Sequence, residues 1–304
     1  RRQKSQDNDD KQSRHYATAI LMACVATCAL AVPSMAEGGM FEGALPENWT
    51  ADVVAGVKYN WYNFNNWQQD GTSNYTWLVT YHADVQGNWK VANWRNLIDL
   101  ELGFTWTDGF GRRKSSDKIF WESTVDFNAF KVFKPYAGNR FETQFLSGYA
   151  YSEDADGNEI KTPVSCFMDP AYETQVAGVA YIPNDIFSQR LAFANRMTIS
   201  DGYGYADDPE TEKVESFRDE PGLESITEVK YSFSDIMSFK SRLWAFVNFE
   251  GVEKIDGRWE NLLSIVIAPL IELQVGYDIA YDYDQDKDAQ YKNMVLFGIT
   301  WRWF

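Results

Sequence analysis

From Trp49 onward, apolar side chains recur at every second position over stretches of about ten residues or more. One stretch sets Tyr75, Trp77, Val79, Tyr81, Ala83 and Val85 against Thr76, Thr80, His82, Asp84 and Gln86. The next sets Ile98, Leu100, Leu102, Phe104 and Trp106 against Asp99, Glu101, Gly103 and Thr105. A further one sets Ile119, Trp121, Val125 and Phe127 against Glu122, Thr124, Asp126 and Asn128. Successive side chains of a strand point to opposite faces, so each stretch makes a strand with one apolar and one polar face. A soluble sandwich alternates in the same way. The period therefore fixes strands and leaves the surrounding solvent open.

Loop lengths make that choice. The pattern predicts twelve strands at roughly 49–64, 73–87, 91–107, 117–133, 136–147, 171–183, 187–200, 222–234, 238–251, 257–268, 270–283 and 291–303. The connections after even-numbered strands read as tight turns, at Gly87-Asn88-Trp89, Lys134-Pro135, Pro183-Asn184-Asp185, Ser234-Asp235 and Ala268-Pro269. Those after odd-numbered strands are longer and polar, notably Leu146 to Pro170 and Asp201 to Pro221. Short turns at one end, longer loops at the other and an even strand count describe a transmembrane, up-and-down antiparallel β-barrel of the bacterial outer membrane, both termini periplasmic.

Aromatic residues make up 16% of the chain, and they crowd strand ends, where a bilayer has its interfaces. Trp61, Tyr62, Trp77, Trp106, Trp121 and Phe249 fall near the expected outer rim. Trp49, Trp89, Trp94, Phe233, Phe239, Trp301 and Trp303 fall near the periplasmic rim. The last expected strand carries Val295, Phe297, Ile299, Trp301 and Trp303, with Phe304 on the opposite parity.

Residues 1–36 read as a signal peptide: basic up to Arg14, apolar from Tyr16 to Val32, then Pro33, Ser34, Met35 and Ala36 as a small-x-small cleavage site. Leu21-Met22-Ala23-Cys24 stands as an alternative lipoprotein box. Residues 37–48 then form a periplasmic N-terminal segment, and 49–304 the barrel. Cleavage removes five basic and three acidic residues, taking the formal charge from −16 to −18. Such an acidic chain is not built for nucleic acid, which needs clustered Lys and Arg. Cys166 alone of the three cysteines remains, so no internal disulfide framework is possible.

Three segments also resemble a known pattern: Arg112-Arg113-Lys114-Ser115-Ser116-Asp117-Lys118, Asn139-Arg140-Phe141-Glu142-Thr143-Gln144-Phe145 and Phe167-Met168-Asp169-Pro170-Ala171-Tyr172. They resemble an uncharacterised outer-membrane family of Bacteroidetes-type bacteria, over roughly residues 60–304. The chain departs from it at Asn66-Trp67-Gln68-Gln69-Asp70-Gly71, where that family usually has two glycines. The resemblance implies an outer-membrane barrel and no particular activity.

On the inward parity lie Asp99, Glu101, Glu122, Asp126, Glu142, Glu224 and Glu228 against Lys58, Arg95, Arg140, Arg190, Arg196, Lys230 and Arg242. One expectation is a charged pore selecting small polar solutes; the other is a lumen filled by pairs closing across it. Trp244, Phe246, Leu262 and Val266 share that parity and favour partial filling. His82, also inward, is the one histidine left after cleavage, and a hydrogen-bonded lumen role is expected of it rather than catalysis. No catalytic residue or cofactor is expected.

Two loops are rich in acid: Asp282, Asp284, Asp286 and Asp288, and Glu153-Asp154-Ala155-Asp156-Gly157-Asn158-Glu159. Carboxylates so close could hold Ca²⁺ in an outer loop, although neither loop has the full twelve-residue calcium pattern. The expected partners are membrane lipid, lipopolysaccharide and other envelope proteins. The readings are, in order, a narrow porin-like channel, a structural or accessory subunit of an envelope complex, and an outer-membrane hydrolase.

Overall fold

A computed structural model describes residues 45–62, 74–207, 215–251, 255–282 and 286–302. For Trp61, Tyr62, Asp286 and Lys287 it describes the backbone alone. The expected signal peptide, residues 37–44, the Asn66–Gly71 departure, Asp284, Trp303 and Phe304 lie outside the described residues.

The strands are β1 (Trp49–Tyr62), β2 (Asn74–Asn88), β3 (Ala92–Thr107), β4 (Gly111–Phe127), β5 (Phe133–Thr143), β6 (Gly148–Glu153), β7 (Glu159–Ser165), β8 (Ala171–Tyr181), β9 (Phe187–Ile199), β10 (Phe217–Ser234), β11 (Met237–Asn248), β12 (Ile255–Ala268), β13 (Ile271–Asp282) and β14 (Asp286–Arg302). Twelve of them close into one antiparallel barrel in chain order, with β5 beside β8, while β6 and β7 pair as a separate hairpin. The expected all-β barrel of twelve strands is the fold. Among the described residues its closing ladder, β1 on β14, holds six register pairs, from Val54↔Arg302 to Tyr59↔Phe297. The β1–β2 ladder holds fourteen.

Three boundaries differ from expectation, for related reasons. Lys134 and Pro135 lie inside β5, and Pro221 lies inside β10. Proline lacks the N–H that a ladder needs on one side. Pro135 pairs with Val179 of β8, while pairing with β4 begins only at Tyr136. Pro221 likewise pairs with Asn195 of β9, while pairing with β11 begins only at Gly222. Each proline thus sits where one neighbouring ladder has not yet started, and neither marks a turn.

The third difference is β4, which begins at Gly111 and not near 117. The polar run Arg112–Asp117 continues the ladder past a bulge between Gly103 and Phe104. Arg112 lies over the Phe104 ring at 4.8 Å and near Trp106 at 5.8 Å, so cation–π contact replaces the apolar alternation that would have marked a strand. The β3–β4 connection shrinks to Asp108-Gly109-Phe110, with Gly109 at φ +84°, a region open chiefly to glycine. Trp121 therefore lies mid-wall, opposite Ile98 and Phe141, and not at the outer rim. The long polar connection expected at 146–170 carries the β6–β7 hairpin.

Burial is inverted relative to a soluble sandwich. Leu191, Phe193, Val295 and Phe297 on the outward parity are 52–69% exposed, while inward Lys58, Glu122, Arg190 and Glu224 are only 1–5% exposed. Aromatics gather in pairs toward the ends, with Trp49 against Trp89 and Trp94, and Phe133 against Tyr181, at the turn end. Tyr75 stacks on Trp106, and Phe193 meets Phe249, toward the loop end. Inside, Gly222 brings the buried Phe246 ring close: a Cβ there would stand 2.7 Å from the ring.

Candidate functional site: a charge-braced lumen

The barrel order decides which of the charges on the expected inward parity meet across the lumen. Glu122 of β4 and Arg242 of β11 are five strands apart around the wall, and Arg242 Nη2 reaches Glu122 Oε2 at 2.6 Å. Its other nitrogen, Nη1, reaches Glu228 Oε1 of β10 at 2.7 Å. Arg95 of β3 holds Asp84 bidentately, Nε to Oδ1 at 2.9 Å and Nη2 to Oδ2 at 2.8 Å. From there its Nη1 crosses to Glu228 Oε2 at 3.3 Å. Lys230 of β10 meets Asp84 of β2 on the opposite wall at 3.2 Å. Arg190 joins Asp126 at 3.3 Å and Glu228 at 3.5 Å.

Glu228 thus gathers three guanidiniums, from Arg95, Arg190 and Arg242. A carboxylate accepts at about four lone-pair sites, and its burial is tolerated because the donors satisfy it where water cannot. Arg140 extends this layer to Glu224 and, at 3.7 Å, to Glu122. The Trp244 indole N–H donates to Glu224 at 2.7 Å. These side chains span the lumen at mid-height. Between the two expectations for the lumen, the geometry of this waist is that of the filled one.

Above the waist, toward the loop end, a cavity of about 140 Å³ is lined by Arg140, Arg242 and Trp244 at its floor and by Tyr172, Arg196, Asp256 and Asp282 higher up. Its ion pairs are mostly single. Arg196 meets Asp256 at 2.5 Å and Lys118 meets Glu260 at 3.7 Å, while Glu142 meets Arg258 at 3.3 Å and Arg140 at 3.6 Å. Five cations (Lys118, Arg140, Arg196, Arg242, Arg258) face five acids (Asp99, Glu142, Asp256, Glu260, Asp282), so the lining has no net charge. Asp256, Arg258 and Glu260 were legible as an alternating inward set on β12 but fell at an expected strand boundary. Lys118 fell inside the expected fourth strand, one residue before the alternating set that began at Ile119, and was not counted among the inward charges.

His82 Nδ1 lies 2.5 Å from Asp99 Oδ1 on the neighbouring strand. Glu101 accepts from Ser116 Oγ at 2.7 Å. Phe246 is buried as parity predicted, whereas Val266, beside a bulge, is 38% exposed. Of the four aspartates expected as calcium ligands, Asp282 lines the cavity, and Asp288 sits on β14. Among the described residues no three His, Cys, Asp or Glu side chains cluster as a metal site. In the other acidic loop, Asp154 accepts from the backbone N–H of Asp156 at 3.0 Å and of Asn158 at 2.7 Å. Those bonds, the Asn158 N–H foremost, hold its carboxyl below the usual carboxylate range.

The loop end is tied together by two aspartates, Asp117 and Asp169, that lie in the segments quoted for the family resemblance but were given no role there. Asp117 accepts the N–H groups of Phe145 and Leu146 at 2.7 and 2.9 Å, together with Lys114 Nζ at 2.8 Å. Asp169 accepts Ser200 Oγ at 2.5 Å and Gly202 N–H at 2.8 Å, joining the β5–β8 and β9–β10 connections. Arg113 lies over the Tyr151 ring at 4.2 Å, mounting the hairpin on the β3–β4 turn.

Residues 60–149 match a family described as a protein of unknown function (DUF3078). No curated protein matches the sequence. Among solved structures, the translocator domain of the autotransporter NalP from Neisseria meningitidis is 8% identical, with a TM-score of 0.38, over 97% of this chain and 98% of that one. The NanC porin is 8% identical, with a TM-score of 0.40, over 82% of this chain and 98% of that one. The COG4313 outer membrane channel from Pseudomonas putida F1 is 9% identical, with a TM-score of 0.41, over 85% and 96%. At these identities and scores, none of the three fixes what this chain does.

Proposed function

We propose that this chain is an integral barrel of a bacterial outer membrane, in contact with lipid and lipopolysaccharide. Its lumen is an outward-opening vestibule for small polar solutes, shut at mid-height by paired side chains. The observation that carries the reading is the cross-lumen brace centred on Glu228 and Arg242. The membrane part rests on physical grounds: a closed barrel has no strand edge to satisfy, and its apolar belt faces out while its charges face in. In this reading the loop end is outside and both termini are periplasmic. Passage follows the charged wall and requires the brace to part, which makes the barrel a narrow and mostly closed channel. The neutral balance of the vestibule lining favours zwitterionic or uncharged polar solutes over strongly charged ones. We assign it no catalytic chemistry.

The test is planar-bilayer conductance of the refolded chain from Glu37 onward, beside Arg242→Ser with Glu228→Ser. A nearly silent parent and discrete open steps in the double variant are expected. Large steady conductance in the parent would sink the closed-waist reading. The accessory-subunit reading draws on the β6–β7 hairpin, mounted through Arg113 and carrying exposed Ile160 toward its tip, with exposed Phe167 just past its base. Deleting residues 150–162 should leave conductance unchanged and abolish any co-purifying envelope partner.

A further inference from the structure

The outward face is not uniformly apolar. Inward Arg140, Glu142, Tyr172, Thr174 and Arg196 line the lumen cavity, so the residues of opposite parity on β5, β8 and β9 point away from it. Among these are Asn139, Glu173, Gln175 and Asn195, with Asp219 on the matching face of β10 opposite Met197. They form a ladder across four adjacent strands. Asn139 Nδ2 donates to Glu173 at 3.2 Å, Gln175 Nε2 donates to the same oxygen at 3.3 Å, and Asn195 Nδ2 donates to Asp219 at 2.7 Å.

Apolar residues flank the ladder on both sides along the barrel axis. Phe141, Met197, Ile199 and Phe217 lie toward the loop end, and Ala137, Ala177, Val179 and Leu191 lie toward the turn end. Gln175 is six residues from the turn-end aromatic Tyr181. At ~3.3 Å per residue and a tilt of ~40°, that is roughly 15 Å above the aromatic ring, inside an apolar band of ~25 Å. On the opposite wall the corresponding outward positions are Val57, Val79, Leu102, Val275 and Val295.

Carboxylates and amides facing hydrocarbon are costly and find polar partners. A lipopolysaccharide phosphate is a poor partner for Glu173 and Asp219, because like charges repel. Primary amides, in contrast, carry both donors and acceptors, so a surface of Asn and Gln complements an identical surface. A carboxylate on one copy can also accept the amide N–H of the other. The small residues Ala137 and Ala177 form a hollow beside Phe193, which stands 69% exposed on the next strand. A twofold axis through the ladder seats each ridge in the other copy's hollow.

We infer that the β5–β8–β9–β10 wall is a homodimer interface, with Gln175, Asn195, Asn139 and Glu173 at its polar centre. This rests on the membrane reading above, and the experiment separates the two. Single cysteines are placed at Gln175, Asn195 or, as control, Val295, in the full chain carrying Cys24→Ser, Cys28→Ser and Cys166→Ser. Membranes are then treated with an oxidant. Cross-linked dimer at Gln175 and Asn195 and none at Val295 is the expected result. A barrel that fractionates with the outer membrane but yields no dimer at either site overturns the interface alone; a chain absent from that fraction overturns the membrane reading and the interface together. Cross-linking to a different protein likewise overturns the second-copy assignment. As a second measurement, Gln175→Leu with Asn195→Leu should shift the protein from dimer to monomer by sedimentation in mild detergent while the folded, heat-modifiable band persists. A dimer surviving that exchange would refute the role of these amides.

Discussion

The waist and the vestibule of the lumen are made from the same kinds of residue and behave differently. In the waist the central acids are shared: Glu228 by three arginines, Glu122 by two, and Asp84 by Arg95 and Lys230. In the vestibule Arg196–Asp256 and Lys118–Glu260 are single pairs, and the outermost, Arg258 with Glu142, is open to solvent, its side chains 44% and 27% exposed against 5–17% for Arg95, Arg190 and Arg242. Sharing is what closes a charged lumen. A guanidinium with two carboxylate partners on different strands is fixed at both ends and excludes water, whereas a lone pair in water contributes little and exchanges readily.

The contrast is open to test, beginning with the largest effect. Removing the brace with Arg242→Ser and Glu228→Ser should raise conductance from near silence to resolved steps, while Arg258→Ser with Glu142→Ser, in the vestibule, should leave the parent trace unchanged. Equal opening by both pairs would erase the distinction between the two zones. Breaking the waist by Arg242→Ala alone should destabilise the barrel by ~3–5 kcal/mol, because buried carboxylates lose a partner, against ~0–1 kcal/mol for Arg258→Ala at its partly exposed pair. Urea unfolding from lipid vesicles reads both. Outside the lumen, Val295→Arg on the uniformly apolar wall should cost ~2–4 kcal/mol in the same assay, less if the position lies nearer an interface than the mid-plane.

The smallest effect concerns pH. The folded carboxyl of Asp154 titrates below its ordinary value of 3.8. Its turn is therefore supported at neutral pH, and that support is lost as pH falls through the depressed value. Amide exchange at Asn158 should quicken only under strongly acidic conditions, and Asp154→Ala should remove that pH dependence while leaving the waist untouched.

How far these zones could be read beforehand follows from what alternation encodes. Parity put Glu122, Arg140, Arg190, Glu228 and Arg242 on one face, since a period of two needs no knowledge of neighbours, and these side chains pair with one another in the folded chain. Parity carries no height, so nothing in the sequence said that Arg242 lies level with Glu122 on the far wall. Height comes from register, and register slipped where turn signals misled: Pro135 and Pro221 proved to be strand residues, and Arg112–Asp117, polar throughout, proved to extend β4. The roles of Asp117 and Asp169 were invisible for another reason. Their partners are backbone groups of connections whose paths only the folded loop end defines.

Among the described residues, the ladder that closes the cylinder, β1 on β14, holds six register pairs against fourteen between β1 and β2. In mechanical language, the wall is a sheet rolled up and fastened along one short line. Each ladder pair lost there is a larger share of the fastening than anywhere along β1–β2, so forced or thermal opening should start at that seam, and insertion into a bilayer should finish there. Amides of Val54–Tyr59 facing β14 are then the first in the wall to exchange with deuterium, and a disulfide stapling Val57 to Ile299, which are register partners, would delay the unrolling of the whole cylinder.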